Sequence, residues 1–291
     1  MTDASIQSAV FYKKITIPDD NLQSCQIISN LYSNYCILET YFNVRYEFNK
    51  CQVEHKIDET LSLNGHGYIV VADGVVLNIA QREKRYRRIL EESMFAICDS
   101  SWVPLYVKLI YGHHREQYCG AMIFQDLVSR KCNDGHSKYR MAFLGTNEST
   151  LQALKRNIAQ TMNDDVFNML FYELPYCNVE EFDYPSIANM LEKYRADIVW
   201  IALGAPKQEI FMNLLDKHMN RGVQIAVGAV FKFFSGCEEA RAPQWLVKLH
   251  LEFLYRIYQA PKKQLKRCMW ILIMLPKMLI EEINRKNKQS E

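Results

Sequence analysis

The sequence predicts a doubly wound α/β protein on a mainly parallel sheet, followed by a C-terminal basic helical appendage. Three observations carry this expectation. Six short apolar runs lack polar alternation, apolar residues between them recur at helical spacing, and the chain changes character after Ser235-Gly236. A short apolar run with no alternation suits a strand covered on both faces, as in a parallel sheet. Strands alternating with helices at this spacing make βαβ units.

Taken in order, residues 1–60 are rich in Tyr, Asn and Cys and carry no readable motif. Tyr46-Glu47-Phe48 and Cys51-Gln52-Val53-Glu54 alternate like a short hairpin, so this part is expected to form a small cap on the main sheet. The core is expected over residues 61–240. Its first strand is Tyr68–Ala72, ended by Asp73-Gly74, with helical spacing from Val75 to Arg88. Met94–Cys98 follows, closed by Asp99-Ser100-Ser101. An Asp at the end of a strand either caps the next helix or faces a ligand crevice. Met141–Gly145 is the third strand; the Gly145-Thr146-Asn147 that ends it resembles a phosphate-cradling turn, with a helix from Ser149 to about Met162. Val166–Glu173 reads as the fourth strand, Ile187–Tyr194 as a helix, Ile198–Leu203 as the fifth strand and Gln224–Gly228 as the sixth.

The stretch from Asp197 to Glu209 joins a buried strand to a helix. Gly204 ends the apolar run, Pro206 suits a first helical turn, and Ile210, Phe211, Leu214 and Leu215 recur behind it with helical spacing. Such turns lie at the carboxyl ends of strands, where the new helix offers unpaired N–H groups to an anion. Lys207 and Gln208 project from that first turn, either toward a ligand or as a solvated lysine and a capping carboxamide.

The net charge of +2 hides an asymmetry. From Arg241 to the end there are 11 Lys and Arg against 4 Glu, a net +7, which leaves −5 for residues 1–240. Apolar residues in this region (Trp245, Leu246, Leu249, Phe253, Leu254, Ile257) keep helical spacing, and Pro261-Lys262-Lys263-Gln264-Leu265-Lys266-Arg267 and Met269–Leu275 follow. The last apolar run is shorter than the ~20 residues that span a bilayer. A basic, apolar appendage over residues 241–291 fits a helix lying on an anionic membrane surface, each basic residue adding about 1 kcal/mol. The same pattern also fits a helical pair packed on the core or on a second copy, which leaves a homo-oligomer open. Nine Cys stand singly with no C-x-x-C pair, no secretory leader is visible, and the His residues have no metal-ligand spacing. A reducing, cytoplasmic setting follows, with no metal and no other cofactor expected. No G-x-G-x-x-G follows a strand, which argues against a dinucleotide-dependent dehydrogenase, and no nucleic-acid partner is expected.

From Asp197 to Arg267 the order of a G-A-P-K-Q-E turn after an apolar strand, an I-A-V-G strand, S-G, R-A-P and an L-E-F-L-Y-R run before Pro261 resembles the WecG/TagA/CpsF family of bacterial glycosyltransferases (glycosyltransferase family 26). A fainter match reaches upstream to about Tyr68. The resemblance implies a Rossmann-like core and an inverting, metal-independent enzyme, peripheral on the inner face of the cell membrane. It would move a sugar, N-acetylmannosamine or a related hexose, from a UDP-sugar to a polyprenyl-diphosphate-linked acceptor in surface-polysaccharide or wall-polymer synthesis. It places the general base on Asp99, a donor contact on Gln208, and diphosphate or acceptor contacts on Arg241, Arg256 and Lys263; Lys207, Gly145 and Asp73, read from their turns, are expected as further donor contacts. The chain departs from the family pattern at Val71-Ala72-Asp73, Ser100, Gln117, Met122 and Lys232, so it reads as a divergent member. The competing reading is a non-catalytic nucleotide-sugar-binding subunit of a polysaccharide-assembly complex.

Overall fold

Alternate residues of each apolar run face opposite ways, and two cores grow from that period of two. The computed structural model describes residues 38–236, apart from residues 101 and 164, together with residues 261–289; side chains of the last segment are described at 269, 270 and 273–288. All of these belong to one compact unit, Leu38–Glu291.

The described chain opens with a hairpin of β1 (Glu39–Tyr41) and β2 (Val44–Tyr46), paired antiparallel. Its two-residue turn, Phe42-Asn43, has φ of 53° and 61°, the left-handed pair that a tight hairpin requires. Cys51–Glu54, expected as part of a hairpin, is helical instead. Asn49 caps α1 (Lys50–Ser62) by accepting from the N–H groups of Cys51 (2.9 Å) and Gln52 (3.3 Å), and Val53 and Ile57, four apart, bury on one face.

Next come β3 (His66–Ala72), α2 (Gly74–Arg82), α3 (Lys84–Glu92) and β4 (Phe95–Cys98). The single helix expected over Val75–Arg88 is two, broken at Glu83, which is extended. Arg87 of the second helix donates from Nε to the Ala80 carbonyl (3.0 Å), serving the carbonyl end that the break leaves open. The helices α4 (Trp102–Tyr111) and α5 (Gly120–Val128) lead to β5 (Met141–Gly145), then α6 (Glu148–Thr161) and β6 (Leu170–Tyr172). This last strand is shorter than the expected Val166–Glu173, because Asp165–Asn168 winds into a 3-10 turn that buries Val166. The helix α7 (Tyr184–Tyr194) starts three residues ahead of expectation, where Asp183 accepts from Ser186 N–H (3.1 Å). The order closes with β7 (Ile198–Ala202), α8 (Lys207–Asp216), β8 (Gly222–Ala226), α9 (Val230–Ser235) and α10 (Pro261–Gln289).

The eight strands lie in the order β1-β2-β4-β3-β8-β7-β5-β6, and every pairing except β1 with β2 is parallel. The α/β, mainly parallel expectation therefore holds. Tyr68, Val70, Val199 and Ile201 face one core with α2, α3, α4, α7 and α8. Ile69, Val71, Ile198 and Trp200 face the other with α1, α5, α6 and α9. The second core centres on aromatic rings, with Phe124 set edge-on to Trp200 at 5.0 Å.

The final helix is more than a loose appendage. It runs through Pro276, which lacks a backbone donor, and is anchored beyond it, where Met278 and Glu282 are each 3% exposed. Glu282 accepts from the Phe42 N–H (2.9 Å) and the Tyr111 hydroxyl (2.8 Å) and pairs with Arg285. The hairpin turn, α4 and the end of the chain thus meet at one carboxylate. Removing it leaves the Phe42 N–H and the Tyr111 hydroxyl without this acceptor and takes the carboxylate from half-buried Arg285, which still donates to the Thr40 carbonyl. Glu282→Ala should lower the unfolding free energy by about 3 kcal/mol in urea titrations, and a change under 1 kcal/mol would mean the tail is not part of the core.

Candidate functional site

In a parallel sheet all carboxyl ends emerge at one edge, and a crevice opens where neighbouring connections leave toward opposite faces. Here the chain leaves β3 into α2 and leaves β7 into α8, both on the first face, while β8, which lies between them, leads into α9 on the second. The ends of β3, β8 and β7 therefore border a crevice. Its walls are the turns after Asp73, Gly204 and Gly228.

Asp99 stands one strand further along, just past the end of β4. Its N–H donates to the Ala72 carbonyl (3.1 Å), extending the β3–β4 ladder, and its Oδ1 accepts from the N–H of Gly120 (2.8 Å) at the start of α5. The side chain is half-buried. Gln117 donates from Nε2 to the Asp99 carbonyl (2.6 Å), so two positions 18 residues apart share one corner. A Cβ at Gly120 would lie 3.2 Å from Val71, 3.6 Å from Val230 and 3.7 Å from Asp99 Oδ1, which shows how closely the ends of β3 and β4 and the start of α9 converge. Asp73 caps α2: its Oδ1 accepts from Val75 N–H (2.8 Å) and Val76 N–H (2.9 Å).

Gln208 is 5% exposed and its carboxamide is held at both ends. Gly204 N–H donates to Oε1 (3.0 Å), and Nε2 donates to Glu209 Oε1 (2.8 Å). Gly228, at φ 55°, brings the turn after β8 against it: a Cβ there would meet Oε1 at 3.5 Å and Nε2 at 3.9 Å. Lys207 turns the other way. Its ammonium donates to the Cys177 carbonyl and lies over the rings of Phe182 (5.0 Å) and Tyr176 (5.9 Å). It fastens the loop after β6 to the start of α8, and this geometry does not bring it to Gln208's side of the crevice.

Gly145 has φ 112°, and a Cβ there would come within 2.7 Å of the Ala202 carbonyl oxygen. The β7 backbone therefore demands glycine at this position. Thr146 follows with φ 55°, an outlier for a β-branched residue, and Asn147 caps α6 by accepting from Thr150 N–H (2.9 Å). Outliers of this kind gather at ligand clamps. Arg241 and Arg256 lie outside the described residues, as does the side chain of Lys263 in the first turn of α10. Among the described residues no group of three His, Cys, Asp or Glu forms a metal cluster. A hollow of about 320 Å³ lined by His136, Tyr139, Arg140 and Asp165 lies at the opposite edge, by the amino end of β5.

Sequence reasoning passed over Glu209, Tyr86 and Gly228. Glu209 is wholly buried; its only sequence signal is that it shares a helix face with buried Met212 and Asn213. Burial pushes its carboxyl up from 4.5 to about 7, and the Asp73 carboxylate acts in the same direction, while Gln208 and Tyr86 act against it. The folded protein holds this proton more tightly than the unfolded chain does. The associated stability is complete below about pH 4.5 and is lost as the pH rises through about 7. From pH 5 to 8 the unfolding free energy should therefore fall by roughly 3 kcal/mol relative to Glu209→Gln; parallel curves in urea titrations would show the carboxyl ionised throughout.

The profile of the "Glycosyl transferase WecG/TagA/CpsF family" matches residues 40–289. An N-acetylglucosaminyldiphosphoundecaprenol N-acetyl-beta-D-mannosaminyltransferase of Bacillus spizizenii is 27% identical over 72% of this chain and 78% of its own. The protein of that name in Bacillus subtilis is 24% identical over 80% and 85%, and that in Staphylococcus aureus 23% over 65% and 70%. Because the match begins at the sheet's edge strand and takes in the crevice and the final helix, the chain belongs to the WecG/TagA/CpsF family of glycosyltransferases.

Proposed function

We propose that the chain transfers a sugar, N-acetylmannosamine or a related hexose, from a UDP-sugar to a sugar carried on polyprenyl diphosphate, with inversion and without a metal. The observation that carries this reading is the crevice itself: a carboxylate held by a helix N-terminus on one side and an oriented carboxamide on the other, across the ends of four adjacent parallel strands. At ~4.8 Å per strand the ends of β4 and β7 are about 14 Å apart, room for a sugar diphosphate between them. The names of the relatives supply the acceptor class.

In this reading an acceptor hydroxyl attacks the anomeric carbon of the donor while Asp99 takes its proton. The new C–O bond forms as the bond from that carbon to the diphosphate oxygen breaks. UDP leaves with the electron pair, and a single in-line displacement inverts the centre. Negative charge grows on the diphosphate. The turn at Gly145-Thr146, the carboxamide of Gln208 and the cations Arg241, Arg256 and Lys263 are assigned to receive it, since oriented donors and cations stabilise charge as it develops. Asp73, fixed as the cap of α2, borders the donor side.

The acceptor is lipid-borne, and the reading puts the protein on the cytoplasmic face of an anionic membrane. Among the described residues no helix is long and apolar enough to cross a membrane. Met269, Trp270, Ile273, Ile280 and Ile283 of α10 and Leu105 and Leu109 of α4 are exposed, an apolar surface suited to lying on a bilayer.

Full-length protein given UDP-N-acetylmannosamine and a short-chain polyprenyl-diphosphate N-acetylglucosamine should release UDP. A panel of UDP-sugars in which none binds or turns over would end the proposal. Asp99→Asn should lower the transfer rate by about 10²–10⁴-fold while calorimetry still detects the donor; unchanged turnover would assign the protein to donor binding alone. Because α10 is anchored in the core, charge reversal tests membrane attachment better than truncation. Replacing Lys262, Lys263, Lys266 and Arg267 with Glu should abolish sedimentation with phosphatidylglycerol liposomes and leave the melting temperature within a few degrees, and retained binding would remove these cations from the membrane contact.

A further inference from the structure

Glu209 has no part in the transfer outlined above, yet it is the most thoroughly buried ionisable group beside the crevice. Its Oε1 accepts from Gln208 Nε2 at 2.8 Å. The Tyr86 hydroxyl of α3 lies close enough to interact with its carboxyl, but neither Glu209 Oε2 nor Tyr86 Oη completes a hydrogen bond of ordinary geometry. A buried carboxyl oxygen without a donor is costly when charged and cheap when it carries the proton.

We propose that Glu209 is the positioning residue of the donor site: in its neutral form it orients the Gln208 carboxamide toward the donor, and in its ionised form it weakens the hold on an anionic donor. The inference rests on the crevice being a UDP-sugar site. A carboxamide can present either its oxygen or its amide hydrogens, and two contacts settle the choice here. Gly204 N–H takes the oxygen, and Glu209 Oε1 takes one hydrogen, which leaves the second N–H of Nε2 beside the Gly228 turn. The neutral carboxyl carries its proton on Oε2, facing Tyr86, so Oε1 remains an acceptor.

The groups around Glu209 make its charge state consequential. On the α3 side stands Tyr86, with Glu83 behind it, and the phenol is itself held protonated by burial and by Glu209. From the end of β3 comes the Asp73 carboxylate, which also acts on Tyr86 and on the buried Tyr46 of β2. From β8 the uncharged Gln224 reaches α8 further along, donating to the Met212 carbonyl (3.2 Å) and to Asp216 Oδ1 (3.3 Å). Lys207, two residues back on the same helix, is turned to Cys177. A second negative charge beside Asp73 therefore adds to a field that already repels an anion. Burial also places the proton's release near neutrality.

The test uses the full chain and UDP-N-acetylmannosamine, whose diphosphate does not titrate between pH 6.5 and 8.5. Wild-type affinity should fall on the order of tenfold across this range, the size expected for one charge ~10 Å from an anion at an effective dielectric near 20. Glu209→Gln should show no such slope, and binding near pH 7.5 should take up protons from buffer in the wild type but not in the variant. The same slope in both proteins would overturn the proposal. A second arm needs no ligand: the side-chain amide signals of Gln208 in nitrogen-15 spectra should titrate near pH 7 in the wild type and stay fixed in Glu209→Gln. Amide signals that do not titrate, or that titrate alike in both proteins, would also overturn it. If the wild type binds no UDP-sugar at any pH, the functional reading fails, and the amide titration still decides for or against Glu209.

Discussion

The arrangement of the whole site depends on one crossing of the backbone. β8 lies between β3 and β7, yet the chain leaves it toward the opposite face from both neighbours. Had α9 packed beside α2 and α8, the three turns would have closed over one another. Instead the glycine at 228 lets the diverging turn pass against Gln208 without a side chain between them. Both covering layers are needed for this. Each strand feeds alternate residues to two cores, and the helices that fill those cores fix the direction in which each turn must leave.

Much of this framework was legible in the chain. The runs at Tyr68, Met141 and Ile198 announced covered strands because burial on both faces erases polar alternation, and the loop after Ile198–Ala202 declared itself through Gly204 and Pro206. Where the reading slipped, a local signal had been outvoted by a distant contact. Cys51–Glu54 alternates, but Asn49 starts a helix there that packs against β8 and buries Val53 and Ile57 in the second core; Val75–Arg88 has unbroken spacing, but Arg87 turns back to close the first helix. Strand position along the sheet was not legible at all, since nothing local to β8 says that it inserts between β3 and β7.

The site divides in the same way. Asp73 and Asp99 could be picked out because they follow strand ends, and Gln208 because it opens a helix after one; such positions are visible in sequence. What their side chains do was not visible. Asp73 caps a helix, Asp99 reaches forward 21 residues to Gly120, and Lys207 serves a loop and not the crevice. Glu209 escaped notice for the opposite reason: a charged residue in a first helical turn ordinarily faces water, and only tertiary packing shows that this one is sealed beneath its neighbours.

Both margins of the sheet are brief. Among the described residues β1 and β6 are the outermost strands, with three residues each, and the first is tied by its turn to the final helix through Glu282. Short margins of this kind offer little unpaired backbone to another molecule. Among the described residues the sheet therefore gives a second copy little backbone on which to extend it edge to edge.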